Sequence, residues 1–232
     1  MLKSLPGSQV TAFDSSQWEQ GRFERWMHID EMDGLLAPCL SVYSVPRLLD
    51  LGGGPGRFAD ALLVRHPLCQ VVVADSSELL LSRNQPHPQK SVLSVDALRL
   101  TESFRPHSFE VIFLRRLLHH LVGDSYTETV RLIQEVLCQC AAVLKPDGRL
   151  SIIENIWNGR FSDGLSGRLL YYATSSRLFA PVARRMGSNT AGTGVCYVSD
   201  RLLTCLLKHA GFCVEVAQVF GNLRFPWYVR YP

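Results

Sequence analysis

The sequence has no apolar run long enough to span a bilayer, no internal repeat, no low-complexity tract and no dense block of lysine and arginine. These absences set aside a helical membrane protein, a solenoid and a disordered linker. The missing basic block also sets aside the electrostatic footprint of a nucleic-acid binder. Charge is sparse: 19% of residues are charged and the net charge is only +3. The opening stretch, MLKSLPGSQVTAFDSSQW, lacks the apolar core of a secretory signal. Seven cysteines are present, an odd number, and their spacing fits neither a disulfide framework nor a metal site. Cys138 and Cys140 stand two apart on an expected helix and so point to different faces. Thiols used this way imply a reducing compartment, so the cytoplasm is the expected location. They read as small buried hydrophobes.

What is present suits one α/β domain. The chain has 232 residues, 47% of them hydrophobic, enough for a sizeable core. The first 45 residues read as a helical cap, with Ser15 or Ser16 as an N-cap and Trp18, Phe23, Trp26, Met27 and His28 available to close over a ligand. From residue 46 onward, short β-branched runs alternate with amphipathic segments, the pattern of a parallel sheet with crossover helices. The runs are RLLDLG (47–52), QVVVAD (70–75), SVLSVD (91–96), FEVIFL (109–114) and RLSIIE (149–154), with a late pair at 212–220 and 225–231. Helices are expected between them, the longest being SYTETVRLIQEVLCQCAAVL, stopped by a Lys145-Pro146-Asp147-Gly148 turn. Residues of about 156–198 form a stretch too long for an ordinary connection, read as an inserted helical lid. The helix VSDRLLTCLLKHAG follows, with Ser199 as cap and Gly211 as stop.

The chemistry concentrates in Asp50-Leu51-Gly52-Gly53-Gly54-Pro55-Gly56, which follows a strand run and precedes a helix. Glycines there admit a ligand close to the backbone, and the helix start offers amide groups and partial positive charge. A dinucleotide loop reading from Gly52 would want a glycine where Arg57 stands, which disfavours redox chemistry on NAD. Asp75 ends the second run, with Ser76 after it, placed to accept from a ribose diol through an acceptor-only carboxylate. Asp96-Ala97 ends the third run.

The acidic-x-Gly-x-Gly-x-Gly pattern resembles the first motif of class I S-adenosylmethionine-dependent methyltransferases, and the resemblance extends over Arg47 to Glu154. It implies a Rossmann-like, seven-stranded, mostly parallel sheet with helices on both faces and a final antiparallel hairpin. It also implies S-adenosylmethionine as cofactor and S-adenosylhomocysteine as product. Asp50, Gly52, Gly53, Gly54, Gly56, Asp75, Ser76, Asp96 and Ala97 are the expected cofactor residues, with Asp96 reading the adenine amino group. The stretch FLRRLLHHL is similar to the FLKRVLHDW of small-molecule O-methyltransferases, whose histidine base matches His119. Asp and Trp after that histidine are replaced by His120 and Leu121, and the large N-terminal dimerisation domain of those enzymes has no counterpart, so a homodimer stays open.

Arg115 is a candidate for the methionine carboxylate and Arg116 for an acidic substrate, through a bidentate fork. Asn155 is a candidate for a substrate polar group. In the lid, Tyr171, Tyr172 and Phe179 would cover an aromatic substrate, and Arg168, Arg177, Arg184 and Arg185 would favour an acidic one, a carrier protein or a membrane surface. The expected catalytic set is therefore His119, Arg116 and Tyr172. The expected reaction is methyl transfer to O, or to N or C, of a small metabolite. Two other readings stay open: aminocarboxypropyl transfer or cyclisation of the same cofactor, releasing methylthioadenosine, and a non-catalytic methyltransferase-like partner.

Overall fold

The computed structural model describes residues 37, 40–158, 165–175 and 194–218. The expected N-terminal cap, Phe179, Arg177, Arg184, Arg185 and most of the late strand pair lie outside the described residues. The chain divides into two compact units. Met1–Arg115 and Val143–Ile152 form the first, and Arg116–Ala142 and Ile153–Pro232 the second.

The first unit holds a five-stranded sheet in the order β3-β2-β1-β4-β5. Its strands are β1 (Arg47–Leu51), β2 (Gln70–Asp75), β3 (Lys90–Ser94), β4 (Phe109–Arg115) and β5 (Leu144–Ile153). β1 pairs in parallel with both β2 and β4, and β2 with β3. β1 and β4 are buried almost throughout, which explains their continuous apolar runs. Leu48, Leu49, Val111, Ile112, Phe113 and Leu114 are wholly enclosed. Helix α1 (Arg57–Arg65) and the short α2 (Glu78–Leu81) pack on β2. A helical turn, α3 (Leu100–Ser103), precedes β4. The order 3-2-1 on one side and 4-5 on the other reverses between β1 and β4, so the carboxyl ends of these strands form the crevice in which such sheets bind ligands.

The strands fall where the sequence places them, with one correction. Lys145-Pro146-Asp147-Gly148 does follow the long helix, but it is not a separate turn. It is the first part of β5, which runs from Leu144. Pro146 lacks a donor and is tolerated because β5 lies at an edge of the described sheet. The late strand pair is represented only by residues 212–218, which carry no strand.

The second unit contains α4 (Tyr126–Val143, whose last residue belongs to the first unit), α5 (Leu165–Ser175) and α6 (Asp200–His209). α6 starts as expected: Ser199 Oγ accepts from the Leu202 amide at 3.2 Å. Gly211 follows it at φ +90°, the left-handed conformation that ends a helix. Among the described residues no helix is long and apolar enough to cross a membrane.

Candidate functional site

In the first unit, β1 carries Asp50 into the core and continues directly into the glycine loop. The Gly52 amide extends the ladder by donating to the Ala74 carbonyl at 2.7 Å. Gly53 is required by contact: a Cβ there would come within 2.5 Å of Asp50 Oδ2. Gly56 stands before α1 at φ +73°, where a side chain would overlap Asn84 Oδ1. Asn84 was not legible as a site residue in the sequence. It pins the loop by donating from Nδ2 to the Gly54 carbonyl at 2.8 Å. Lys90 is a second such residue, its ammonium buried and paired with Asp60 in the first turn of α1.

Asp50 is 1% exposed, and its Oδ2 has no hydrogen-bond partner. Burial raises its carboxyl to about 6, against the opposing pull of the Arg115 guanidinium. Arg115, at the end of β4, lies over the Phe58 ring at 4.0 Å. Asp75 ends β2 as expected. Its Oδ2 accepts from the Gly54 amide at 3.0 Å and its Oδ1 from the Ser77 amide at 2.9 Å. Burial raises its pKa too, and these backbone bonds resist the rise. Ser76 is exposed. Asp96 is exposed and caps the turn Ala97–Arg99, accepting from the Leu98 amide at 2.9 Å. The structure thus brings Asp50, the glycines, Asp75 and Arg115 into one unit, on the ends of adjacent strands.

In the second unit, His119 sits in a short helical turn, Leu118–His120, and is 6% exposed. Its Nδ1 stands 2.6 Å from Glu154 Oε1. A carboxylate only accepts, so Nδ1 is the donor in this pair. Glu154 was not legible as a site residue. Its side chain is 2% exposed. Oε1 also accepts from the Asn155 amide at 2.8 Å, and Oε2 accepts from the Leu118 amide at 3.0 Å and the His119 amide at 3.4 Å. Four donors therefore hold this carboxylate.

Arg116 adopts φ +54°, unusual for a residue with a side chain, and its amide donates to the Ile153 carbonyl at 2.8 Å. Burial lowers its pKa, and the neighbouring Glu154 opposes that. His120 is pushed down to about 3 by burial, then by His119 and Arg116, so it stays neutral near pH 7. The Tyr197 ring lies 5.3 Å from that of His119 and 6.4 Å from a nearly parallel Trp157. Tyr172 is 58% exposed on α5, whereas Tyr171 is buried and donates to the Gly123 carbonyl at 2.8 Å.

The residues of the first unit fit a cationic, hydroxyl-bearing cofactor. The buried Asp50 oxygen has no hydrogen-bond partner and suits a cationic donor, and Asp75, tethered by backbone amides, is an acceptor-only group. A glycine loop after β1, an acid closing β2 and a parallel sheet that reverses beside β1 define the class I methyltransferase fold. The comparisons agree in fold: residues 49–150 match the family model described as a methyltransferase domain.

No curated protein matches the chain. Among solved structures, it is similar to a chain of the Haloferax volcanii complex between the Trm112 methyltransferase activator and a protein described as a methyltransferase. That match has a TM-score of 0.62 at 15% identity and covers 97% of this chain and 84% of that one. An O-methyltransferase family protein from Burkholderia thailandensis matches with a TM-score of 0.56 at 17% identity, over 91% of this chain and 59% of that one. Human N-acetylserotonin methyltransferase, in complex with S-adenosylmethionine, matches with a TM-score of 0.53 at 19% identity, over 90% and 55%. The chain spans between half and two thirds of the length of the latter two.

Proposed function

We propose that this protein transfers a methyl group from S-adenosylmethionine to an oxygen of a small molecule, with His119 as the general base. The observation that carries the choice of oxygen is the buried His119–Glu154 pair. A hydroxyl must lose a proton as it attacks, and an imidazole whose Nδ1 is held by a carboxylate presents Nε2 to take it. The cofactor supplies an electrophilic methyl on a sulfonium and needs no further activation.

The chain's own residues bind, orient and move one proton. Asp75 and the Gly54 amide that it anchors support the ribose, with Ser76 beside them. Asp96 and Ala97 support the adenine, and Asp96 does so while capping its own turn. Asp50 accepts from the ammonium of the amino-acid end and Arg115 donates to its carboxylate. Glu154 fixes the tautomer of His119 and balances the imidazolium that forms when the proton arrives. Arg116 holds an acidic group of the acceptor, and Tyr172 covers it from α5.

The test is a mass-spectrometric assay of the purified protein with S-adenosylmethionine, alone and with a small-metabolite extract. S-adenosylhomocysteine and a metabolite heavier by one methyl support the proposal. Methylthioadenosine instead would establish aminocarboxypropyl transfer or cyclisation. Cofactor binding with neither product would leave a non-catalytic role.

A further inference from the structure

The hydrogen bond to Glu154 fixes one corner of the His119 imidazole. It does not fix the tilt of the ring about the line joining the two groups, and that tilt decides where Nε2 points. Two aromatic neighbours bear on it. His120 lies 4.1 Å away, centroid to centroid, with its plane turned by 43°. Tyr197 lies 5.3 Å away, turned by 37°.

Tyr197 is itself held from several directions. Burial raises the pKa of its hydroxyl, and the Asn155 side chain opposes that rise. Its ring is nearly parallel to Trp157, at 15°. The flanking backbone is tied down too. The Cys196 amide donates to the His119 carbonyl at 3.1 Å and the Trp157 amide to the Val198 carbonyl at 3.1 Å. At Gly167 in α5, a Cβ would come within 2.7 Å of the Tyr197 carbonyl, so the helix approaches this segment as closely as its backbone allows. A ring clamped this firmly has little rotamer freedom left to lose when it sets the orientation of a neighbour.

We infer that Tyr197 is a positioning residue: its ring, braced by Trp157, fixes the tilt of the His119 imidazole on Glu154. The inference rests on the reading of His119 as the base, but its geometry can be tested without turnover. The ring, more than the hydroxyl, carries the effect, so phenylalanine substitutes for it and leucine does not.

The experiment is histidine-selective proton–nitrogen NMR of the full-length protein at neutral pH, with His119 assigned by its disappearance in His119→Gln. The wild type is expected to show one Nδ1–H tautomer, a downfield Nδ1–H resonance, and cross-relaxation between the His119 and Tyr197 rings. Tyr197→Leu is expected to lose the downfield resonance while the amide spectrum stays folded, and Tyr197→Phe to recover it. Retention of the resonance in Tyr197→Leu would overturn the inference. Should Tyr197→Leu fail to fold, the wild-type cross-relaxation decides, and its absence would overturn the ring contact itself. Loss and recovery of the resonance in a protein that makes no methylated product would uphold the positioning role and remove the base.

Discussion

Two carboxylates are buried to nearly the same degree in the two units, and they are equipped in opposite ways. Glu154, with 2% of its side chain exposed, has both oxygens engaged by two donors each. Asp50, at 1% exposure, keeps an oxygen with no partner. A buried polar group without a partner costs free energy, whereas a satisfied one is rigid. The saturated carboxylate therefore reads as a positioning device, and the unsatisfied one as a socket whose donor arrives with a ligand.

The comparison breaks most visibly through the group that Glu154 positions. His119→Ala is expected to slow turnover by about 100- to 10,000-fold while leaving cofactor affinity within about twofold. Normal turnover, measured by formation of S-adenosylhomocysteine, would remove His119 as base.

The socket has a pH signature of its own. Asp50 has its folded pKa raised to about 6 from 3.8, so the fold holds a proton that the unfolded chain releases. Ligand-free stability should therefore fall as pH rises from about 4 to about 6, by roughly 3 kcal/mol in total. Urea melts of the wild type and Asp50→Asn across that window isolate the contribution. Parallel curves would deny it. Cofactor affinity should show the opposite trend, weakening as pH drops below about 6.

Glu154→Gln turns one acceptor oxygen into a donor facing other donors. It is expected to cost about 2 kcal/mol of stability as well as turnover. A variant as stable as the wild type would mean that the four bonds are not formed together. The smallest expected effect lies at Asp75: Asp75→Ala should weaken cofactor binding about tenfold by calorimetry, or roughly 1.4 kcal/mol. Unchanged affinity would end its assignment to the ribose.

How much of this was legible in the sequence follows the range of the forces involved. The glycine loop, Asp75 and the five strands are written in local pattern, and the Gly54–Asp75 bond realises the spacing between motif and acid. Glu154 closes a run that was recognised only as a strand. Its partner lies 35 residues earlier in the chain, and no periodicity links the two. Asn84 reaches back 30 residues to the loop, and Tyr197 belongs to a stretch with no regular pattern at all. Asp96 shows the reverse: the resemblance implies adenine reading, and in the structure its side chain caps a helical turn. Lys145-Pro146-Asp147-Gly148 carries turn chemistry, but an edge strand tolerates a proline that has no donor to contribute, so the segment extends β5.

The saturation of Glu154 also governs proton traffic. Both of its oxygens receive two donors each, and one of those donors is Nδ1, so that corner of the imidazole is already committed. Only Nε2 is left to meet an acceptor hydroxyl, and under the proposed reaction the atom that takes the proton also has to hand it on before the next round.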